Sequence, residues 1–167
     1  MSLAVRRFGV NRAWREGFAR YTSDPARRRT MLEPLDAVKV GMEFIKRINA
    51  GDVAAICDLM TEGHIFQDAL GKRFMGRETM RQGWKMYFKI VADYNIRAEE
   101  FFQTKNRLAI FGVASGTCCG SDGGKSTDKF WQVPAAWGAV VDDGKIAEWR
   151  VYADNQPLRK LMGEVTP

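Results

Sequence analysis

From residue 35 onward, the apolar positions of this 167-residue chain recur first at helical and then at strand spacing. In LDAVKVGMEFIKRINAGD, residues Leu35, Val38, Met42, Ile45 and Ile48 fall on one face of a helix, which a glycine in NAGD ends. VAAICDLM reads as a second, short helix. GHIFQDALGKRFMGRE then reads as a strand, a turn and the start of a third helix, with His64, Phe66 and Asp68 on one side of the strand and Ile65 and Gln67 on the other. The third helix, within MGRETMRQGWKMYFKIVADY, turns Met80, Trp84, Tyr87, Phe88 and Val91 inward.

Four strand-like runs follow: YNIRAEEFF, NRLAIFGVASGTC, STDKFWQVPAAWGAVV and KIAEWRVYAD. The DDG at 142–144 predicts a tight hairpin between the last two. NQPLRKLM predicts a brief terminal helix, capped by Asp154 or Asn155 and helped by Pro157. Three helices around one strand, then a long meander, make an α+β domain: a curved antiparallel sheet wrapped around three N-terminal helices in a cone.

The charge is uneven. Residues 1–30 hold eight arginines (6, 7, 12, 15, 20, 27, 28 and 29) against Glu16 and Asp24, whereas residues 31–167 hold 18 basic and 18 acidic side chains. Basicity therefore belongs to an arm over residues 1–33, and the domain spans 34–167. Trp14, Phe18 and Tyr21 sit at helical spacing among the arginines. Four readings of the arm stay open: an extra helix packed on the body or a partner, a disordered or non-native leader, a nucleic-acid or acidic-membrane contact, and an organelle transit peptide. The balanced body offers no phosphate-tracking surface, so nucleic acid is not an expected partner. No apolar run reaches the roughly 18 residues of a membrane span and no signal-peptide core stands at the start, so no membrane association is expected.

Cys57, Cys118 and Cys119 form neither a disulfide framework nor a zinc spacing, which suits reduced thiols in the cytoplasm. In CCGSDGGKST a phosphate loop would need glycine at Cys119, and the segment lies between strands, so a flexible hairpin is the better reading. His64 is the one histidine, too few for a His-based metal site, and no serine sits in a nucleophile-elbow context. No metal and no cofactor are expected.

The strand faces leave one constellation. If the sheet curls around the helices, its inward faces line a cavity in which Asp68, His64 and Arg107 are the polar groups. Phe44, Phe66, Trp84, Tyr87, Phe111, Gln132 and Trp149 then supply candidate wall residues for a hydrophobic small molecule. Asp68 keeps two readings: a base or ligand acceptor in the cavity, or a residue that caps the turn after the strand.

FIKRINAGDVAAICDLMTEGHIFQDALGKRFMGRETM and VPAAWGAVVDDGKIAEWRVYADNQPLRKLM together resemble the SnoaL-like, ketosteroid-isomerase-like superfamily, across about residues 35–162. That group shares the fold of nuclear transport factor two, a cystatin-like α+β barrel, and includes polyketide cyclases and limonene epoxide hydrolase. The resemblance puts the isomerases' general-base Asp at Asp68, but Phe44 and Ala136 stand where their oxyanion-binding Tyr and Asp would be. It puts the epoxide hydrolase's Arg at Arg107, its two Asp at Ala109 and Val151, and its water-holding Tyr and Asn at Phe66 and Asp68. The cyclases' Asp also falls near Val151. The resemblance implies a homodimer formed through the outer sheet face. It also implies acid/base isomerisation, cyclisation or epoxide-type hydrolysis, with Asp68 as base and Arg107 stabilising negative charge. The alternative it leaves is a non-catalytic ligand-binding or dimerisation module of the same fold.

Overall fold

A computed structural model describes residues 37–119 and 125–161. The arginine-rich arm, the linker expected after it and residues 120–124, where a flexible hairpin is expected, lie outside the described residues. In chain order the elements are α1 (Ala37–Asn49), α2 (Val53–Asp58), β1 (Met60–Gln67), β2 (Arg73–Met75), α3 (Arg77–Ile90), β3 (Asn95–Thr104), β4 (Arg107–Cys119), β5 (Lys125–Asp142), β6 (Lys145–Ala153) and α4 (Gln156–Leu161). One sheet runs in the order β2-β1-β6-β5-β4-β3, curved and unclosed. The α+β cone expected from the sequence is present.

The sheet is mixed rather than wholly antiparallel, because β1 pairs with β6 in parallel while every other pair is antiparallel. Periodicity marks where strands lie but not which distant strand each one meets. The short β2 went unread because three residues carry no alternation. It pairs antiparallel with the end of β1, Phe66 opposite Phe74.

Helix α1 packs through Ala37, Gly41, Phe44, Ile45 and Ile48. The buried stripe is rotated from the expected one: Met42 is exposed and Phe44 is fully buried, while Leu35 lies outside the described residues. Gly41 explains the rotation, since a Cβ there would run into the side chain of Leu108. The helix packs there directly on the Leu108 side chain of β4, which would have to shift to admit anything larger than glycine. The helix ends on Gly51 at φ +66, with the amide of Asp52 donating to the carbonyl of Arg47 at 3.1 Å. The side chain of Asp52 then caps α2 by accepting from the amide of Ala55 at 3.0 Å.

The DDG hairpin forms as read. Asp143 and Gly144, both at positive φ, join the paired residues Asp142 and Lys145. At the terminal helix, Asp154 accepts from the amide of Gln156 at 2.9 Å. Trp137, Trp149, Phe44, Ile48 and Ile110 are among the largest fully buried side chains, gathered between α1 and the concave face of the sheet. Among the described residues no helix is long and apolar enough to cross a membrane.

Candidate ligand cavity

A cavity of about 340 Å³ opens at one end of the cone, within the usual range for small-molecule sites. Each wall follows from the local sequence. Met80, Gly83, Trp84 and Tyr87 come from successive turns of α3, whose other positions (Arg81, Gln82, Lys85, Lys89) are polar. Phe66 and Asp68 come from the end of β1, Phe74 from β2, and Ala114 from the inward phase of β4. Trp131 on β5 and Trp149 and Val151 on β6 close the back, and Asn155 and Leu158 at α4 form part of the rim.

The aromatic groups touch one another. Tyr87 meets Tyr94 edge-on at 5.1 Å, Tyr94 stacks on Trp131 at 6.1 Å, and Trp84 meets Tyr87 edge-on at 6.0 Å. Burial pushes the phenols of both Tyr87 and Tyr94 up; for Tyr94 the indole N–H of Trp137 leans in and partly offsets it, without a fully formed hydrogen bond. Both hydroxyls therefore stay protonated and can act as hydrogen-bond donors, not as bases.

Asp68 caps the turn after the strand, as one of its two sequence readings expects. Its Oδ1 accepts from the amides of Leu70 and Lys72, each at 2.9 Å, and so holds the 68–72 turn, in which Gly71 takes φ +84. The same carboxylate lines the cavity, and its Oδ2 has no protein partner among the described residues. Capping fixes the direction of the group and leaves its second oxygen without a partner among the described residues.

Phe66, Asp68, Trp84, Tyr87, Trp149 and Val151 are thus brought together. The other candidates are not. Arg107, Phe111, Gln132 and Ala136 lie on the outer face of the sheet, because β4 buries Leu108, Ile110 and Ala114 instead. Arg107 borders an outer groove with Glu148 and Arg150, so it cannot stabilise charge at Asp68. The match of Arg107 and Ala109 to the epoxide hydrolase positions fails with it.

Phe44 and His64 face inward but lie behind the cavity in the core, Phe44 packing edge-on against Trp149 at 5.0 Å. His64 is fully buried and its Nδ1 donates to the carbonyl of Ile146 at 2.8 Å, leaving Nε2 unpaired. Desolvation holds its imidazole below the ordinary histidine value, against weaker upward pulls from that carbonyl and Glu148. The folded state therefore binds the proton less readily than the unfolded chain, and stability drains away as pH falls below about 6.5. The expected slope is up to about 1.4 kcal/mol per pH unit until the folded-state value is reached. Urea melts between pH 7.5 and 5.5 should show the decline in the wild type and a flatter profile in His64→Asn. Equal slopes would remove His64 as the cause.

Sequence reasoning missed Tyr94, Phe74, Asn155 and Leu158 as wall residues. Tyr94 sits in a turn ahead of β3, and the terminal helix carried no signal beyond its cap. Burial raises the thiols of Cys57 and Cys118, which makes them poorer nucleophiles, and all three cysteines are free.

Residues 42–149 match the model of the SnoaL-like domain. The chain belongs to the SnoaL-like family. Solved SnoaL-like structures resemble it throughout the domain. A candidate SnoaL-like polyketide cyclase from Jannaschia sp. CCS1 superposes with a TM-score of 0.66 at 15% identity, covering 78% of this chain and 93% of that one. IdmH, a candidate polyketide cyclase from Streptomyces antibioticus, gives 0.64 at 19%, with 77% and 99% covered. AclR, a candidate hydroxylase from Streptomyces galilaeus, gives 0.64 at 15%, with 81% and 89% covered. Proteins named for different reactions share the likeness equally, so it shows the SnoaL-like fold and not a chemistry. No curated protein matches the chain.

Proposed function

We propose that this SnoaL-like protein binds a hydrophobic small molecule in the aromatic cavity, where Asp68 accepts a hydrogen bond or a proton from it. The observation that carries this reading is the carboxylate of Asp68, which lines a cavity of Phe, Tyr and Trp with one oxygen tied to its turn and the other without a protein partner among the described residues. Proton transfer needs a base in fixed register with the ligand and a donor for the oxyanion that develops. Asp68 supplies the first, and the protonated phenols of Tyr87 and Tyr94 are the donors at hand for the second. Isomerisation and cyclisation both begin with such a step. Epoxide-type hydrolysis loses support, because the arginine assigned to it lies outside the cavity.

Solvent deuterium exchange at the α-carbon of 2-decalone, followed by NMR, tests the chemistry without knowledge of the natural substrate. Asp68→Asn should lower the catalysed exchange by about 100-fold or more. Stability should change little, because the asparagine Oδ1 still accepts from Leu70 and Lys72. If the ketone binds but neither protein exchanges it faster than buffer, the non-catalytic reading replaces the enzymatic one. That alternative has an observation in its favour: Val151, where the cyclases' Asp would fall, is an apolar part of the wall.

We also infer a homodimer through the outer sheet face. Phe102, Phe111, Phe130 and Tyr152 are exposed there, Phe102 and Phe111 packed edge-on at 5.8 Å, and such a patch on a single chain favours a partner of the same kind. Light scattering should give twice the chain mass for the wild type and the chain mass for Phe111→Lys. A monomeric wild type would end the idea.

A further inference from the structure

The residues around the cavity are unevenly charged. Seven of its wall residues are aromatic: Phe66, Phe74, Trp84, Tyr87, Tyr94, Trp131 and Trp149. The charged one is Asp68, and among the described residues no Lys, Arg or His side chain lines the space. Asp68 has no ion-pair partner among the described residues either; what holds it is the pair of backbone amides on Oδ1. Aromatic faces carry negative potential, and an uncompensated carboxylate beside them adds to it. That potential acts at short range on whatever occupies the cavity.

We propose that the natural ligand of this cavity is a hydrophobic cation, a protonated or quaternary amine on a compact carbon skeleton, with its charge beside Asp68 Oδ2. The proposal rests on the reading above that the cavity holds a small molecule, and it names the class. An anionic ligand would meet the carboxylate and the ring faces with no cationic side chain in the wall to offset them. A neutral ligand would leave the charge of Asp68 without a counter-charge. A cation satisfies Oδ2 and the ring faces together. The protein already uses this chemistry at the rim: Lys72, in the turn that Asp68 caps, holds its Nζ 5.0 Å from the centre of the Phe74 ring. Lys72 is exposed and is not part of the wall.

Three probes of one skeleton separate charge from shape: 1-adamantylammonium, 1-adamantanol and adamantane-1-carboxylate. Trp84, Trp131 and Trp149 in the wall report binding by their fluorescence. The wild type should bind the ammonium about tenfold more tightly than the alcohol and about 100-fold more tightly than the carboxylate. In Asp68→Asn, whose Oδ1 keeps the turn, the ammonium's advantage over the alcohol should shrink to about threefold or less. Equal binding of all three, or an advantage that survives Asp68→Asn, overturns the charge assignment and leaves the cavity as a binding site. Tightest binding of the carboxylate, lost in Lys72→Met, would assign an anion instead. No binding by any of the three would take the cavity reading down as well.

Discussion

Replacing Ala114 by phenylalanine is expected to abolish binding in the proposed ligand cavity while the protein stays folded. Ala114 faces inward from β4, is 4% exposed and forms part of the cavity wall. Its neighbours across the sheet are Ile96 and Val133, both buried, so a larger side chain has one direction open to it: into the hollow. The ring would take space that a guest needs and cover part of the surrounding aromatic surface. Filling a pre-existing cavity leaves stability level or raises it by about 1 kcal/mol, whereas overfilling a tight core costs about 1–3 kcal/mol. The expected result is a loss of about 100-fold or more in affinity for the adamantane probes, equivalent to about 2.7 kcal/mol, with a melting temperature no lower than that of the wild type. Full-strength binding by a well-folded Ala114→Phe protein would move the ligand elsewhere on the molecule.

Ala114 also shows why the site was only partly legible. The odd positions of β4 (Ala109, Phe111, Val113) and the even ones (Leu108, Ile110, Ala114) are both apolar, so alternation gives a period without a phase. Gly112 and Gly116 thin out the even set, and the odd set with its phenylalanine looks like the core. The structure buries the even set and leaves Phe111 exposed, and Arg107 goes outward with it. Helix α3 was read correctly because its outer face is charged, which fixes the phase. The end of β1 was legible for the same reason: polar Gln67 and Asp68 break the ambiguity, and the inward series His64, Phe66, Asp68 holds. What no local pattern carries is pairing at a distance. The parallel contact of β1 with β6 brings Phe66 level with Trp149, and that neighbourhood closes one wall of the cavity.

Gly112→Ala is expected to cost about 3 kcal/mol or more, although it adds one methyl group. A Cβ at this position would run into the carbonyl oxygen of Arg97 and crowd the Cα of Ala98 on the neighbouring strand. The register between β3 and β4 slips there, between Ala98 and Glu100, and the bulge brings the backbone of β3 over the inner side of Gly112. Backbone cannot rotate out of the way as a side chain can, so the bulge must open or β3 must shift. Either change flattens the sheet where it bends to shelter the core, and weakens the cone that positions Ala114 two residues on. Gly63→Ala is the matched control: it lies in β1 at ordinary φ, with nothing within 4 Å of the added methyl, and should change stability by less than about 0.5 kcal/mol. Urea denaturation with unchanged m-values should separate the two variants clearly. If both melt alike, the bulge is not held by its glycine, and the curvature of the sheet must come from the packing of α1 against β4.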